Sequence, residues 1–193
     1  MTDPVSFALA VLLVLLTPGP TNTLLATAAA TRGLRHCFSL MPAEMIGYLI
    51  SISALLMVVR PLAQTSAVAT MALRAACGCY LLYLAWTLSR ARNEHTTTER
   101  VGFRHVFVTT LLNPKAVVFA FLIFPDPGLP QWLQLRAFGL FIAICAFACA
   151  GWLTLGAMIG QQAGFFITPR GFQRGAAAAL AIFAVVMLGS LTR

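Results

Sequence analysis

Two charges in this sequence stand where hydrocarbon is expected. Glu44 is the one carboxylate placed well inside an apolar span, and Lys115, the only lysine in the chain, falls in another. Ionisable groups at that depth are costly, which makes each a functional candidate with a partner to be found. Lys115 offers a charge to pair with Glu44 or with a substrate carboxylate. Each also has a plainer reading. A small shift of the span places Glu44 near the interface after His36, and Lys115 has a stem long enough to snorkel towards water. On a helix, Glu44 shares a partly polar face with Gly47, Tyr48, Ser51 and Leu55, which suits a bundle interior.

Neutral polar groups accompany these charges. Thr17-Pro18-Gly19-Pro20 interrupts the first apolar run, and Thr21-Asn22-Thr23 follows it. Pro18 and Pro20 lack amide donors, so a continuous helix would strand the carbonyls of Val14 and Leu16. Lipid cannot satisfy such groups, and broken backbone at membrane depth survives inside protein or along a watery cavity. A half-helix starting after the break presents free amides and a positive dipole end to an anionic group. Thr21, Asn22 and Thr23 then either contact a zwitterionic amino acid or simply cap that half-helix. A second interruption, Asn113-Pro114-Lys115, is flanked by Thr109, Thr110 and Ala116. It marks either a matching site element or an ordinary helix start with Asn as cap and Pro in the first turn.

The elements that must carry these groups are membrane helices. Of 193 residues, 60% are hydrophobic and 9% charged, a composition outside the soluble range. Six segments approach the roughly 20 residues that span about 30 Å of hydrocarbon: 5–30 (interrupted), 39–59, 68–88, 106–124, 135–159 and 175–191. The fold expected is an all-α, polytopic bundle forming one integral-membrane domain over 1–193. The first segment lacks a basic leader, carries Asp3 ahead of its apolar run, and is read as retained, not as a secretory signal. A hydrophilic stretch, 89–105, separates halves 1–88 and 106–193 of three segments each. Three crossings per half imply opposite orientations, so a 3+3 inverted repeat with broken first and fourth segments is expected, the usual signature of a midplane transport site.

The net charge of +8 follows topology, not a nucleic-acid face. Arginines gather at 32 and 35, at 90, 92, 100 and 104, and at 170 and 174, in the first, third and fifth loops. The positive-inside rule makes those loops cytoplasmic and the C-terminus external. Tyr80, Tyr83 and Trp86 fit a cytoplasmic boundary, and Trp132 the opposite one. Gly156 with Gly160, and Gly175 with Ala179, fit close helix contacts. Of the five cysteines, four lie in apolar spans and read as small hydrophobes. Cys77-Gly78-Cys79 prompts a second reading, a membrane-embedded thiol–disulfide electron carrier. His36, His95 and His105 form no ligand pattern, and no phosphate loop is present. No metal, cofactor, nucleic acid or enzymatic activity is therefore expected.

The two motifs at these positions, with the six-segment layout and the middle loop, resemble the LysE/RhtB family of amino-acid exporters across the whole chain. That resemblance implies a secondary transporter of the bacterial inner membrane, exporting amino acids or related zwitterions by a proton or ion gradient. Its partners would be the bilayer and a small amino-acid-like solute, with self-association left open. Pro18, Gly19, Pro20, Asn113, Pro114 and Lys115 match the family motifs. Thr21 separates Pro-Gly-Pro from Asn22, where many members place Asn or Asp directly. Ala43 and Gly47 stand where two glycines are often found.

Overall fold

The first helix begins at a side-chain cap. The Asp3 carboxylate accepts from the Ser6 amide at 2.8 Å, and Pro4 occupies the first turn, where no amide donor is needed. Hydrogen bonding to Ser6 holds the exposed Asp3 carboxyl below its ordinary value. The structure, a computed structural model, describes residues 3–59, 61, 68, 71, 72, 75, 78, 79, 82, 83, 86, 101–161, 178, 181, 182, 185, 188 and 189. The loop residues 89–100, the fifth-loop arginines, Cys77, Tyr80, Gly175 and Ala179 lie outside these.

Helix α1 (Pro4–Leu16) stops because Thr17 precedes Pro18, and α2 (Pro20–Arg32) starts afresh because Gly19 precedes Pro20. A residue before proline is driven from the α region, and both are extended, Thr17 with ψ 131° and Gly19 with ψ 173°. The axis turns by 61° across the break. At the far end of α2 the backbone reverses through Gly33, whose φ of 79° favours glycine. A short α3 (Leu34–Cys37), a 3-10 turn (Phe38–Leu40), α4 (Met41–Ala54) and a π-helical turn (Leu55–Val59) follow. Leu34–Val58 forms one apolar span of 25 residues.

After the loop, α5 (Phe103–Leu111) and α6 (Lys115–Val118), the latter running into a π-helical turn (Phe119–Ile123), meet at a 47° bend. The long α7 (Gln131–Gln161) contains an apolar span of 30 residues. Two continuous apolar helices and two bent helix pairs thus correspond to the first, second, fourth and fifth expected segments, with the bends in the first and fourth. No strand occurs among the described residues. Where the third and sixth segments are described they touch: a Cβ added to Gly78 would lie 2.6 Å from the Leu188 side chain.

Packing is tightest between α2 and α7. A Cβ built on Gly156 or Gly160 would fall on the backbone of Ala26 or Ala30, so these glycines let two backbones approach as membrane helices do. Val5, Leu9, Leu13 and Leu16 on α1, and Ile46 and Ile50 on α4, face outward, a surface suited to acyl chains. The buried apolar side chains divide into two clusters. One joins Phe7, Val11, Leu15, Tyr48, Phe119 and Phe141; the other joins Leu25, Ala43, Val106, Cys149, Trp152 and Leu153.

Candidate functional site

Buried polar side chains occupy the seam between those clusters on the first, second and fourth segments. Thr21 and Asn22 fall between Leu15 and Leu25, Glu44 between Ala43 and Tyr48, and Thr110, Asn113 and Lys115 between Val106 and Ala116. On α7 the seam passes Cys145 and Cys149. Glu44, Lys115 and Asn22 are each 2% exposed. At about 1.5 Å per residue, Glu44 lies about 15 Å along the span from its start at Leu34, well inside it. Both side chains thus face the interior of the bundle, and Lys115 is turned inward instead of running out along the surface.

The two helix breaks meet. Lys115, at the start of α6, donates from Nζ to the Thr17 carbonyl of the first break. Asn113 donates from Nδ2 to Thr21 Oγ1 at 2.9 Å, and the Thr110 and Thr21 hydroxyls lie 3.2 Å apart. Gly19 is extended, which any residue allows, so proximity is what demands glycine. A Cβ there would stand 3.1 Å from Lys115 Cε. Asn113 also caps its own half-helix, its Oδ1 accepting from the Lys115 amide at 3.0 Å. The helix-start reading of Asn113-Pro114 and the site-element reading therefore describe one arrangement: the start is buried against the opposite break.

Thr21 and Asn22 do not cap the helix they begin. Asn22 turns back and donates both Nδ2 hydrogens to α1, to Leu15 O at 2.8 Å and Thr17 O at 2.9 Å. Trp152 Nε1 adds a second donor to Leu15 O at 3.2 Å. The carbonyls served by side chains are thus those of Leu15 and Thr17, one residue from the expected Val14 and Leu16, because α1 ends at its own extended cap. Thr23 bonds back to Gly19 O through both its amide and its hydroxyl, each at 2.9 Å. The amides of Thr21 and Asn22, in the first turn of α2, have no intrahelical acceptor.

Glu44 lies close enough to Cys149 on α7 for the two side chains to interact. Its Oε2 has no hydrogen-bond partner, nor does the Tyr48 hydroxyl one turn along. Tyr48 is clamped edge-on by Phe119 and Phe141, at centroid distances of 5.6 and 5.8 Å. Glu44 and Lys115 sit close enough for their charges to interact, yet Lys115 Nζ is engaged by Thr17. All nine candidate residues thus gather around one buried seam, with Pro18 and Pro20 partly exposed at its edge.

Tyr48 and Thr110 stood beside the candidates in the sequence reading; Cys145, Cys149 and Trp152 escaped it. The cysteines carried a signal, since Cys145 and Cys149 are four residues apart and such pairs share a helix face. Trp152 carried none, because its target is a carbonyl on another helix. Cys37, Cys79, Cys145 and Cys149 are free thiols. No group of three or more metal-ligating side chains occurs among the described residues.

Comparison with known proteins places this geometry. A family model described as LysE type translocator matches residues 12–190. The chain is 25% identical over 129 residues to a cysteine/O-acetylserine efflux protein of Klebsiella pneumoniae subsp. pneumoniae, covering 63% of this chain and 66% of that protein. Proteins of the same name from Salmonella choleraesuis and Salmonella typhimurium are 28% identical over 122 residues, covering 62% of this chain and 63% of each relative. The match thus spans just under two thirds of these relatives' length. No solved structure matches the chain.

Proposed function

The chain belongs to the LysE type translocator family, and from that membership we propose that it exports small zwitterionic amino acids as a secondary transporter. The observation that carries this reading is the meeting of two broken helices from opposite halves of the sequence. There Lys115 reaches the break at Thr17 and Gly19, beside the start of α2, whose cap makes no side-chain hydrogen bond. A cation beside a helix N-terminus favours a carboxylate, and discontinuous spans are where secondary transporters hold such groups. Lys115, Thr21 and Asn113 would receive the substrate carboxylate, with Pro18, Gly19, Pro20 and Pro114 shaping the backbone around it. Asn22 would hold the break open by sealing α1.

Cysteine/O-acetylserine efflux by the relatives makes small, uncharged side chains the first substrates to try. An inner-membrane location, cytoplasmic first, third and fifth loops, an external C-terminus, a 3+3 inverted repeat and drive by a proton or ion gradient belong to the same proposal. The full chain in proteoliposomes should exchange labelled O-acetyl-L-serine or L-cysteine across the bilayer. An imposed pH gradient should drive accumulation if protons are coupled. Lys115→Met should slow exchange at least about tenfold, the scale of one lost charged hydrogen bond. Absence of exchange for these probes and for serine, threonine, leucine and lysine would refute the reading.

A further inference from the structure

Resting on the export reading, we infer that Glu44 and Tyr48 form a subsite for the ammonium group of the substrate, distinct from the Lys115 end that takes its carboxylate. Glu44 Oε2 and the Tyr48 hydroxyl are both fully enclosed and both without a partner. Native interiors seldom leave such atoms unbonded, and each one calls for an explanation. The two lie one helical turn apart on α4 and share its inner face. A carboxylate oxygen and a hydroxyl oxygen together offer acceptors to an N–H donor, while Tyr48 adds an aromatic face that attracts cations.

The surroundings narrow the ligand further. Cys149 neighbours the Glu44 carboxyl on α7, and Oε2 is without a partner. Lys115 is the nearby cation, yet it is held by the Thr17 carbonyl and leaves that oxygen open. Opposite charges kept apart in one seam complement the two ends of a zwitterion better than they complement each other. Beyond Tyr48 the wall is Phe119 and Phe141, whose rings contact at 5.0 Å. The subsite is therefore matched to α-amino acids with uncharged side chains. A site built to bond an N–H group rejects analogues lacking it, because its own polar atoms are then left unpaired.

Purified full chain in detergent and in proteoliposomes tests this with three probes at pH 6. These are O-acetyl-L-serine, 3-acetoxypropanoate, which lacks the amino group, and O-acetyl-L-serine methyl ester, which lacks the carboxylate. The ammonium-bearing probes should raise the melting temperature of the wild type, and 3-acetoxypropanoate should not. Glu44→Gln should abolish that distinction and weaken O-acetyl-L-serine at least about tenfold. Tyr48→Phe guards against misfolding, since removing an unpartnered buried hydroxyl should leave the ligand-free protein equally or more stable. The same variant should nevertheless weaken O-acetyl-L-serine. Unchanged selectivity in both variants, or equal stabilisation of the wild type by 3-acetoxypropanoate, overturns the subsite. So does failure of every ammonium-bearing probe to stabilise the wild type. Stabilisation without exchange in proteoliposomes would instead defeat the export reading and leave the subsite standing.

Discussion

Leu15 O offers a stringent test of the helix break, because two donors from different helices share it. Asn22→Leu keeps the number and branching of side-chain heavy atoms but removes two bonds, to Leu15 O and Thr17 O. Trp152→Phe removes the remaining donor to Leu15 O. Side-chain hydrogen bonds between membrane helices average about 0.6 kcal/mol, so Asn22→Leu should cost about 1 kcal/mol. The hydrogen-bond share of Trp152→Phe should be about half that. In either single variant Leu15 O keeps one donor. The double variant strands the carbonyl in a buried seam, and an unsatisfied buried acceptor costs about 1–3 kcal/mol more. The two changes should therefore be super-additive by about 1 kcal/mol or more, beyond the 0.3–0.5 kcal/mol within which independent sites usually add. Equilibrium unfolding in mixed micelles of mild detergent and SDS, followed by helical circular dichroism, gives the four stabilities. Additivity would mean that the two side chains do not share one acceptor, and the account of the break would be wrong.

Changing both Pro18 and Pro20 to alanine should let α1 run into α2, straighten the 61° bend and draw the Thr17 carbonyl away from Lys115. Membrane insertion should persist while amino-acid exchange in proteoliposomes is lost, and unchanged exchange would contradict a role for the break. Gly156→Val should destabilise by at least about 1–3 kcal/mol through overpacking, since its Cβ falls on the Ala26 backbone. Gly151→Ala, where a Cβ meets nothing within 4 Å, should be near neutral in the same unfolding assay. Because its bond to Ser6 lowers the pKa of Asp3, the cap's contribution is complete above the ordinary value of 3.8 and fades as pH falls below it. Amide exchange at Ser6 should accordingly gain protection over that window in the wild type and lose this dependence in Asp3→Asn. Cysteine labelling at positions 93 and 193 should find opposite sides of the membrane; the same side would remove the odd number of crossings in the second half.

Hydrophobic run length fixed the spans, because no other arrangement satisfies backbone groups in lipid. Proline fixed the two interruptions, since Thr17 and Gly19 cannot stay helical ahead of Pro18 and Pro20. Burial cost also marked Glu44 and Lys115 as candidates before any contact was known, though it could not tell an inward-facing side chain from one on the protein surface. Tertiary structure decided that, along with everything depending on which helices are neighbours. That Lys115 reaches Thr17, that Asn22 seals the helix before it and not its own, and that Trp152 serves Leu15 are relations between residues distant in sequence. Periodicity is blind to them, because it reports which face of a helix is apolar and not which other helix meets it. The unpartnered Glu44 oxygen and Tyr48 hydroxyl belong with these, since a missing partner is visible only once every neighbour has been placed.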